Sequence, residues 1–285
     1  MQDGPASFLD LRHKNAMNPA SRPIGIFDSG IGGLTVARAL AGVLPDEDLV
    51  YFGDTAHLPY GDKSTAAIQA YSVKISHFLL SQDVKLILIA CNSASAAAFE
   101  LVREYVGSKA LVVNVIDPVV NHVCSRYAGR KVGLIGTKQT IDSGVFERKI
   151  NECGAGIRLA SLATPLLAPM IEEGFFNNRI SLGVIEEYLK NPVLEGIEAL
   201  ILGCTHYPLI ARQIGEFFGG KVDIIDSSVW VARTVQHLLA ENNLLNTPHP
   251  VKTRFFVSDY TQAFENSTQI FFADRVSLEP WPLWE

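Results

Sequence analysis

Two of the four cysteines stand where a sulfur could react. Cys91 ends the apolar run Leu86-Ile-Leu-Ile-Ala90 and opens the small-residue stretch Asn92-Ser-Ala-Ser95. Cys204 ends Ala199-Leu-Ile-Leu-Gly203 and is followed by Thr205 and His206. Both spots read as strand-to-helix junctions, where helix N-terminal amides stabilise a thiolate and predict a lowered thiol pKa. A second sulfur in the same position of a second such unit argues against coincidence. A hydrolase or isomerase with Cys91 as nucleophile and His206 as base is the one-cysteine alternative. It leaves Cys204 idle and supplies no third residue to orient the histidine. Cys124 and Cys153 lie inside helical patterns without polar neighbours of this kind and read as packing residues with free thiols. No C-x-x-C pair occurs, so zinc spacing and thioredoxin-type chemistry are not indicated.

Three further stretches supply polar groups. Asp28-Ser-Gly-Ile-Gly-Gly33 follows an apolar strand and precedes a helix, so its backbone can approach an anion such as a carboxylate. It lacks the G-x-G-x-x-G spacing of a dinucleotide site. Tyr51 to Gly61 is a loop after a strand, punctuated by Gly53, Pro59 and Gly61, in which Asp54, His57 and Tyr60 are placed to line a pocket. Thr164 to Gly174 carries the adjacent carboxylates Glu172 and Glu173, which by themselves read as a solvated helix face.

The elements that must position these residues are short apolar runs alternating with longer helical patterns. Strands are expected at 24–27, 49–52, 86–89, 112–116, 131–135, 157–161, 199–202 and 223–225. Helices are expected at about 33–44, 64–81, 95–106, 117–128, 140–152, 166–173, 180–190, 207–217 and 228–242. Such alternation predicts βαβ units around mainly parallel sheets. The segments 251–258 and 269–273 read as extended. Pro23-Ile-Gly-Ile-Phe-Asp28 echoes Lys131-Val-Gly-Leu-Ile-Gly136, and the two cysteine junctions echo each other at a similar offset. The α/β fold class is therefore read as two similar doubly wound lobes with the site in the cleft between them. Residues 1–22 are a tail, 23–116 with 227–285 form the first lobe, and 117–226 form the second.

Composition narrows the function. The 285 residues are 48% hydrophobic and 19% charged, which supports a full core and excludes disorder over most of the length. A net charge of −6 argues against a nucleic-acid binder. No apolar run reaches membrane-spanning length, and residues 1–23 lack the apolar core of a secretory signal, so a cytoplasmic setting is expected.

Taken together, Phe27-Asp-Ser-Gly-Ile-Gly-Gly-Leu34, Gly53-Asp-Thr with Pro59-Tyr-Gly61, Ala90-Cys-Asn-Ser93 and Gly203-Cys-Thr-His206 resemble the glutamate racemases of the aspartate/glutamate racemase family. The resemblance runs from about residue 23 to near the last residue. It implies cofactor-independent interconversion of L- and D-glutamate, without pyridoxal phosphate or metal, feeding peptidoglycan synthesis. By motif position it makes Cys91 and Cys204 the two bases, the first serving D-glutamate and the second L-glutamate. It places Asp28, Ser29, Tyr60, Gly61, Asn92, Ser93, Thr205 and His206 on substrate-contacting positions, and Asp28, Asp54, Glu172 and His206 on auxiliary polar ones. Ser93 stands where the family usually has Thr, and the hydroxyl is kept. The expected partners are the two glutamate enantiomers, with a cell-wall precursor as candidate effector and a homodimer as candidate assembly. The alternatives are a racemase of another acidic amino acid such as aspartate, and a non-catalytic two-lobed ligand-binding protein.

Overall fold

The computed structural model describes residues 18–272 and 276–285. In chain order its elements are β1 (Ile24–Asp28), α1 (Leu34–Val43), β2 (Leu49–Gly53), α2 (Thr65–Ser81), β3 (Leu86–Ile89), α3 (Asn92–Val106), β4 (Leu111–Asn114) and α4 (Asp117–Arg126). There follow β5 (Lys131–Gly136), α5 (Lys138–Asp142), α6 (Val145–Glu152), β6 (Arg158–Ala163), α7 (Leu167–Glu172), α8 (Arg179–Leu189), β7 (Ala199–Gly203), α9 (Ala211–Phe217), β8 (Asp223–Asp226), α10 (Ser227–Glu241), β9 (Thr253–Val257), α11 (Gln262–Phe272) and β10 (Leu278–Pro280).

The strands form two wholly parallel sheets. One runs β10-β9-β2-β1-β3-β4 and the other β6-β5-β7-β8. The strand order β2-β1-β3-β4 of the first is repeated by β6-β5-β7-β8 in the second, which is the structural content of the echo in the sequence. In each sheet the winding reverses direction beside its first strand, and ligands settle in the crevice that such a reversal opens at the carboxyl ends. The crevices lie between β1 and β3 and between β5 and β7. Cys91 follows β3, and Cys204 follows β7.

Unbroken apolar strands require cover on both faces. Ile24, Ile26, Leu86 and Leu88 face a core that also takes in Leu200 and Leu202 of β7, Leu34 and Leu40 of α1, and Val231 and Val235 of α10. Phe27, Ile87 and Ile89 face α2 and α3 on the other side. The second sheet has its own outer cluster, with Leu134 and Ile201 against Val119, Val123 and Phe146. Each fully buried Ile or Leu is worth about 1.5–3 kcal/mol, so the strand ends that carry the site are firmly fixed.

Several expectations need correction. Residues 269–272 belong to α11 rather than to a strand, and 273 lies outside the described residues. Phe264, Thr268 and Phe271 recur at helical spacing, with Thr268 and Phe271 buried, and the Phe271-Phe272 pair had masked that period. The helix expected over 140–152 is broken at Gly144, whose φ of +63° is left-handed, giving α5 and α6. The one expected at 207–217 starts as a 3-10 turn over Tyr207–Ile210.

Cys124 and Cys153 are bonded to each other rather than free. Packing of α4 against α6 brings their Cα atoms to 6.4 Å, within disulfide reach. The tail boundary at 22 also falls too late. Pro19–Ser21 forms a 3-10 turn capped by the Asn18 side chain, Ala20 is buried, and its carbonyl accepts the Lys85 ammonium at 2.5 Å. Lys85 is itself buried and paired with Glu47. Residues 1–17, including the helical turn expected at 6–11, lie outside the described residues.

Candidate active site

The loops after β1, β2, β3, β5 and β7 converge on one cavity between the two sheets. Its walls include Ser29, Tyr60, Gly61, Asn92, Ser93 and Thr205, together with Cys91, Cys204, His206 and Glu172. Ten of the twelve candidate residues named from the sequence thus border one space. The other two, Asp28 and Asp54, are wholly buried behind it and do not line it. A roomier depression at the opposite end of the second sheet carries Lys190, Glu195 and Lys221 but no cysteine or histidine.

Cys91 is itself the N-cap of α3: its Sγ accepts the Ala94 N–H at 3.5 Å, and its thiol points to Ser29 Oγ at 3.7 Å. The expected lowering of its pKa does not occur. Burial, followed by the nearby Asp28 carboxylate, outweighs the Ala94 amide and Ser29 and pushes the thiol up to about 12. Asp28 closes β1 and accepts the Gly30 N–H at 3.1 Å through Oδ2, while its Oδ1 has no hydrogen-bond partner among the described residues. Burial raises its pKa against the opposing pull of His206 and of the Gly33 and Gly30 amides.

Cys204 has different company. His206 Nδ1 lies 3.4 Å from Cys204 Sγ, and His206 Nε2 lies 2.9 Å from Glu172 Oε1. Burial alone would depress the imidazole pKa. The sulfur on one side and the carboxylate on the other overcome that and hold it well above its usual value. Glu172 ends α7 and points inward, whereas Glu173 is exposed, so geometry separates two carboxylates that spacing left equivalent. The Phe271 ring meets the His206 ring edge-on at 5.4 Å.

Two glycines allow the sheets' loops to close on each other. A Cβ on Gly32 would sit 2.3 Å from His206 Cε1, and one on Gly61 would sit 2.9 Å from Thr137 Cβ. Nearby, Thr35 Oγ1 donates to the Thr205 carbonyl at 2.9 Å, and the Ser93 and Thr137 hydroxyls meet at 2.9 Å. Both side-chain amide atoms of buried Asn92 lack partners among the described residues, beside this cavity. Buried amides left unpaired favour a polar ligand that satisfies them.

Sequence reasoning missed Thr137, Ala168, Phe271, Ser258 and Trp284. Only Thr137 carried a signal, because it follows Gly136 as Ser29 follows Asp28 in the paired echo. Among the described residues no group of three or more His, Cys, Asp or Glu side chains is placed to hold a metal ion, and no helix is long and apolar enough to cross a membrane.

Two parallel α/β sheets, each with a cysteine at its winding reversal facing one small shared cavity, define an α/β protein with paired cysteines at a common cleft. The profile of the Asp/Glu/hydantoin racemase family matches residues 34–235. A glutamate racemase of Neisseria meningitidis serogroup A is 40% identical over 251 residues, 88% of this chain and 92% of the relative. The crystal structure of the Francisella tularensis glutamate racemase in complex with D-glutamate aligns with a TM-score of 0.87 at 41% identity, covering 93% of this chain and 99% of that one. The Escherichia coli enzyme, in complex with L-glutamate and the activator UDP-MurNAc-Ala, aligns at 0.72 and 25% identity over 87% of this chain and 92% of that one. This chain belongs to the glutamate racemase family.

Proposed function

We propose that this protein interconverts L- and D-glutamate by two-base proton transfer at Cα. The observation that carries this reading is the placement of Cys91 and Cys204 on the walls of one cavity, each delivered by a different sheet. In the L-to-D direction the Cys204 thiolate removes the α-proton, and the C–H electron pair remains on the substrate. The Cys91 thiol then delivers its proton to the opposite face of Cα. The product is D-glutamate, with Cys91 left as thiolate and Cys204 as thiol; the reverse direction restores both. A thiol pushed up to about 12 holds its proton at neutral pH, as a donor must. A protonated His206 beside Cys204 stabilises the charge on the base, and Glu172 stabilises the protonated ring. Asp28, buried near Cys91, is the group that takes up the complementary charge adjustment on its side. Backbone amides of the loops at Ser29, Gly61 and Asn92 and the hydroxyls of Ser93 and Thr205 would hold the substrate carboxylates, stabilising the developing carbanion in a water-poor space.

No step requires a cofactor, and the D-glutamate formed would enter peptidoglycan synthesis. The lobes are assigned as 23–116 with 227–285 and 117–226, with residues 18–22 joining the first. The Escherichia coli relative's activator makes a nucleotide-linked cell-wall precursor the first effector to try, with its influence read as a change in kcat. Assembly as a homodimer is checked by light scattering. For the main reading, purified protein is incubated with L-glutamate and, separately, L-aspartate, and optical rotation is followed. Decay of the L-glutamate signal to zero is expected, with no comparable decay for aspartate. A stable glutamate signal, or faster decay with aspartate, would overturn the assignment.

A further inference from the structure

Asp54 is wholly buried, yet four side chains from three segments of the chain converge on its carboxylate. Oδ2 accepts the Tyr60 hydroxyl at 2.7 Å and faces His57 Nδ1 at 3.0 Å, both within the loop that follows β2. Oδ1 accepts the Ser258 hydroxyl at 2.7 Å and the Trp284 indole N–H at 2.8 Å, from the segments after β9 and β10. His57 Nδ1 also lies 3.2 Å from Oδ1. One oxygen therefore serves the cavity loop, and the other is tied to the far end of the described chain.

Three side chains pack against Trp284 beside this contact. Its ring meets the edge of His57 at 4.5 Å and Tyr71 at 5.3 Å, and the Lys74 ammonium lies over it at 4.8 Å. His57 in turn stacks on Tyr71 at 4.1 Å. The indole is half-buried and its one polar atom points inward at the carboxylate. An indole that served only to cover apolar surface could equally turn its N–H to water.

We propose that Trp284 is a positioning residue for the racemase site: by binding Asp54 Oδ1 it fixes the carboxylate so that Oδ2 holds Tyr60, and with it the Pro59-Tyr60-Gly61 wall of the cavity. This rests on the racemase reading above. Burial, then Asp54, keeps the Tyr60 phenol protonated, so Tyr60 is the donor in that bond. Trp284 touches no reacting atom and acts only through Asp54. Without the indole N–H, Oδ1 keeps only the Ser258 hydroxyl and the longer His57 contact, so the carboxylate is held less firmly and the wall loses one of its reference points. Displacements of about 1 Å at a reacting centre cost up to about a hundredfold in rate. A relay through two hydrogen bonds is expected to cost about tenfold.

The test compares Trp284→Phe, which keeps an aromatic ring and removes the N–H, with Trp281→Phe. Trp281 packs on Phe78 and Phe256 and makes no contact with Asp54. Three quantities are measured on the full-length protein: kcat and KM for glutamate, the same for Tyr60→Phe and the Tyr60→Phe/Trp284→Phe double variant, and amide hydrogen exchange of residues 54–61. Trp284→Phe should lower kcat/KM about tenfold and speed loop exchange, while Trp281→Phe changes neither. The double variant should be no worse than Tyr60→Phe alone, because both changes cut one relay. Multiplying effects, unchanged kcat/KM in Trp284→Phe, or unchanged loop exchange would each overturn the proposal. A wild-type protein that failed to racemise glutamate would instead overturn the functional reading; the exchange comparison would still decide whether Trp284 holds the loop.

Discussion

The two sulfurs of the cavity occupy the same place in two sheets of the same strand order, yet their surroundings differ in kind. Cys91 caps a fifteen-residue helix, faces a serine and a buried carboxyl, and has no histidine beside it among the described residues. Cys204 precedes a short 3-10 turn and is backed by His206 and Glu172. Pseudosymmetric scaffolds thus place their two sulfurs in asymmetric surroundings. In the proposed mechanism burial keeps the proton on Cys91, and Cys204 lies against an imidazole whose pKa is raised. A mirror-image reaction does not need mirror-image catalytic groups; it needs one donor and one acceptor, with means to exchange those roles.

The sharpest way to break the comparison is to remove each sulfur. Cys91→Ser and Cys204→Ser should each lower racemisation by about 10³-fold or more, because an alkoxide is far harder to form than a thiolate. Retained binding of D-glutamate by calorimetry would show that the fold survives. Near-wild-type turnover in either variant would remove that residue from the mechanism.

Next in size, His206→Gln and Asp28→Asn should each cost about 10²-fold in kcat/KM. Because the equilibrium constant of a racemisation is one, kcat/KM must fall equally in the two directions. The asymmetry is therefore expected in the separate kcat values, with His206→Gln and Asp28→Asn biased oppositely. Identical bias in both variants would mean that the two sides are not chemically distinct.

A smaller effect, about tenfold, is expected for Glu172→Gln, with a pH signature. The Glu172 carboxylate helps raise the His206 pKa. Its removal lowers that pKa, so the alkaline limb of the kcat/KM profile should move to lower pH. Glu173→Gln should leave both rate and profile unchanged, since Glu173 is exposed. At the small end, Cys124→Ser should leave kcat/KM unchanged, although it removes the disulfide to Cys153. A loss of activity there would extend the sulfur chemistry beyond Cys91 and Cys204.

Much of this site was legible because parallel α/β folding puts function at strand ends. Once 86–89 and 199–202 read as buried strands, Cys91 and Cys204 had to lie on the same edge of their sheets. The thiol pKa was not legible. Helix capping is a local feature readable from spacing, but the burial that outweighs it at Cys91 is set by packing from both sheets. Glu172 could not be told from Glu173 without the inward turn of α7. Trp284 and Ser258 reach Asp54 across 230 and 204 positions, and no periodicity reports such a contact. The Cys124–Cys153 pair escaped for the same reason: two helical cysteines read as packing until the angle between their helices is known.

The central claim is that opposite faces of Cα are served by different sulfurs. It is tested most directly by incubating L-glutamate with the protein in deuterium oxide and assaying both enantiomers for Cα deuterium at low conversion. Cys91 carries a solvent-derived deuteron, whereas Cys204 returns the proton it has just removed. The account predicts D-glutamate deuterated at Cα while the remaining L-glutamate stays protiated. Deuterium appearing equally in both enantiomers from the start, or D-glutamate retaining the substrate's own proton, would contradict it.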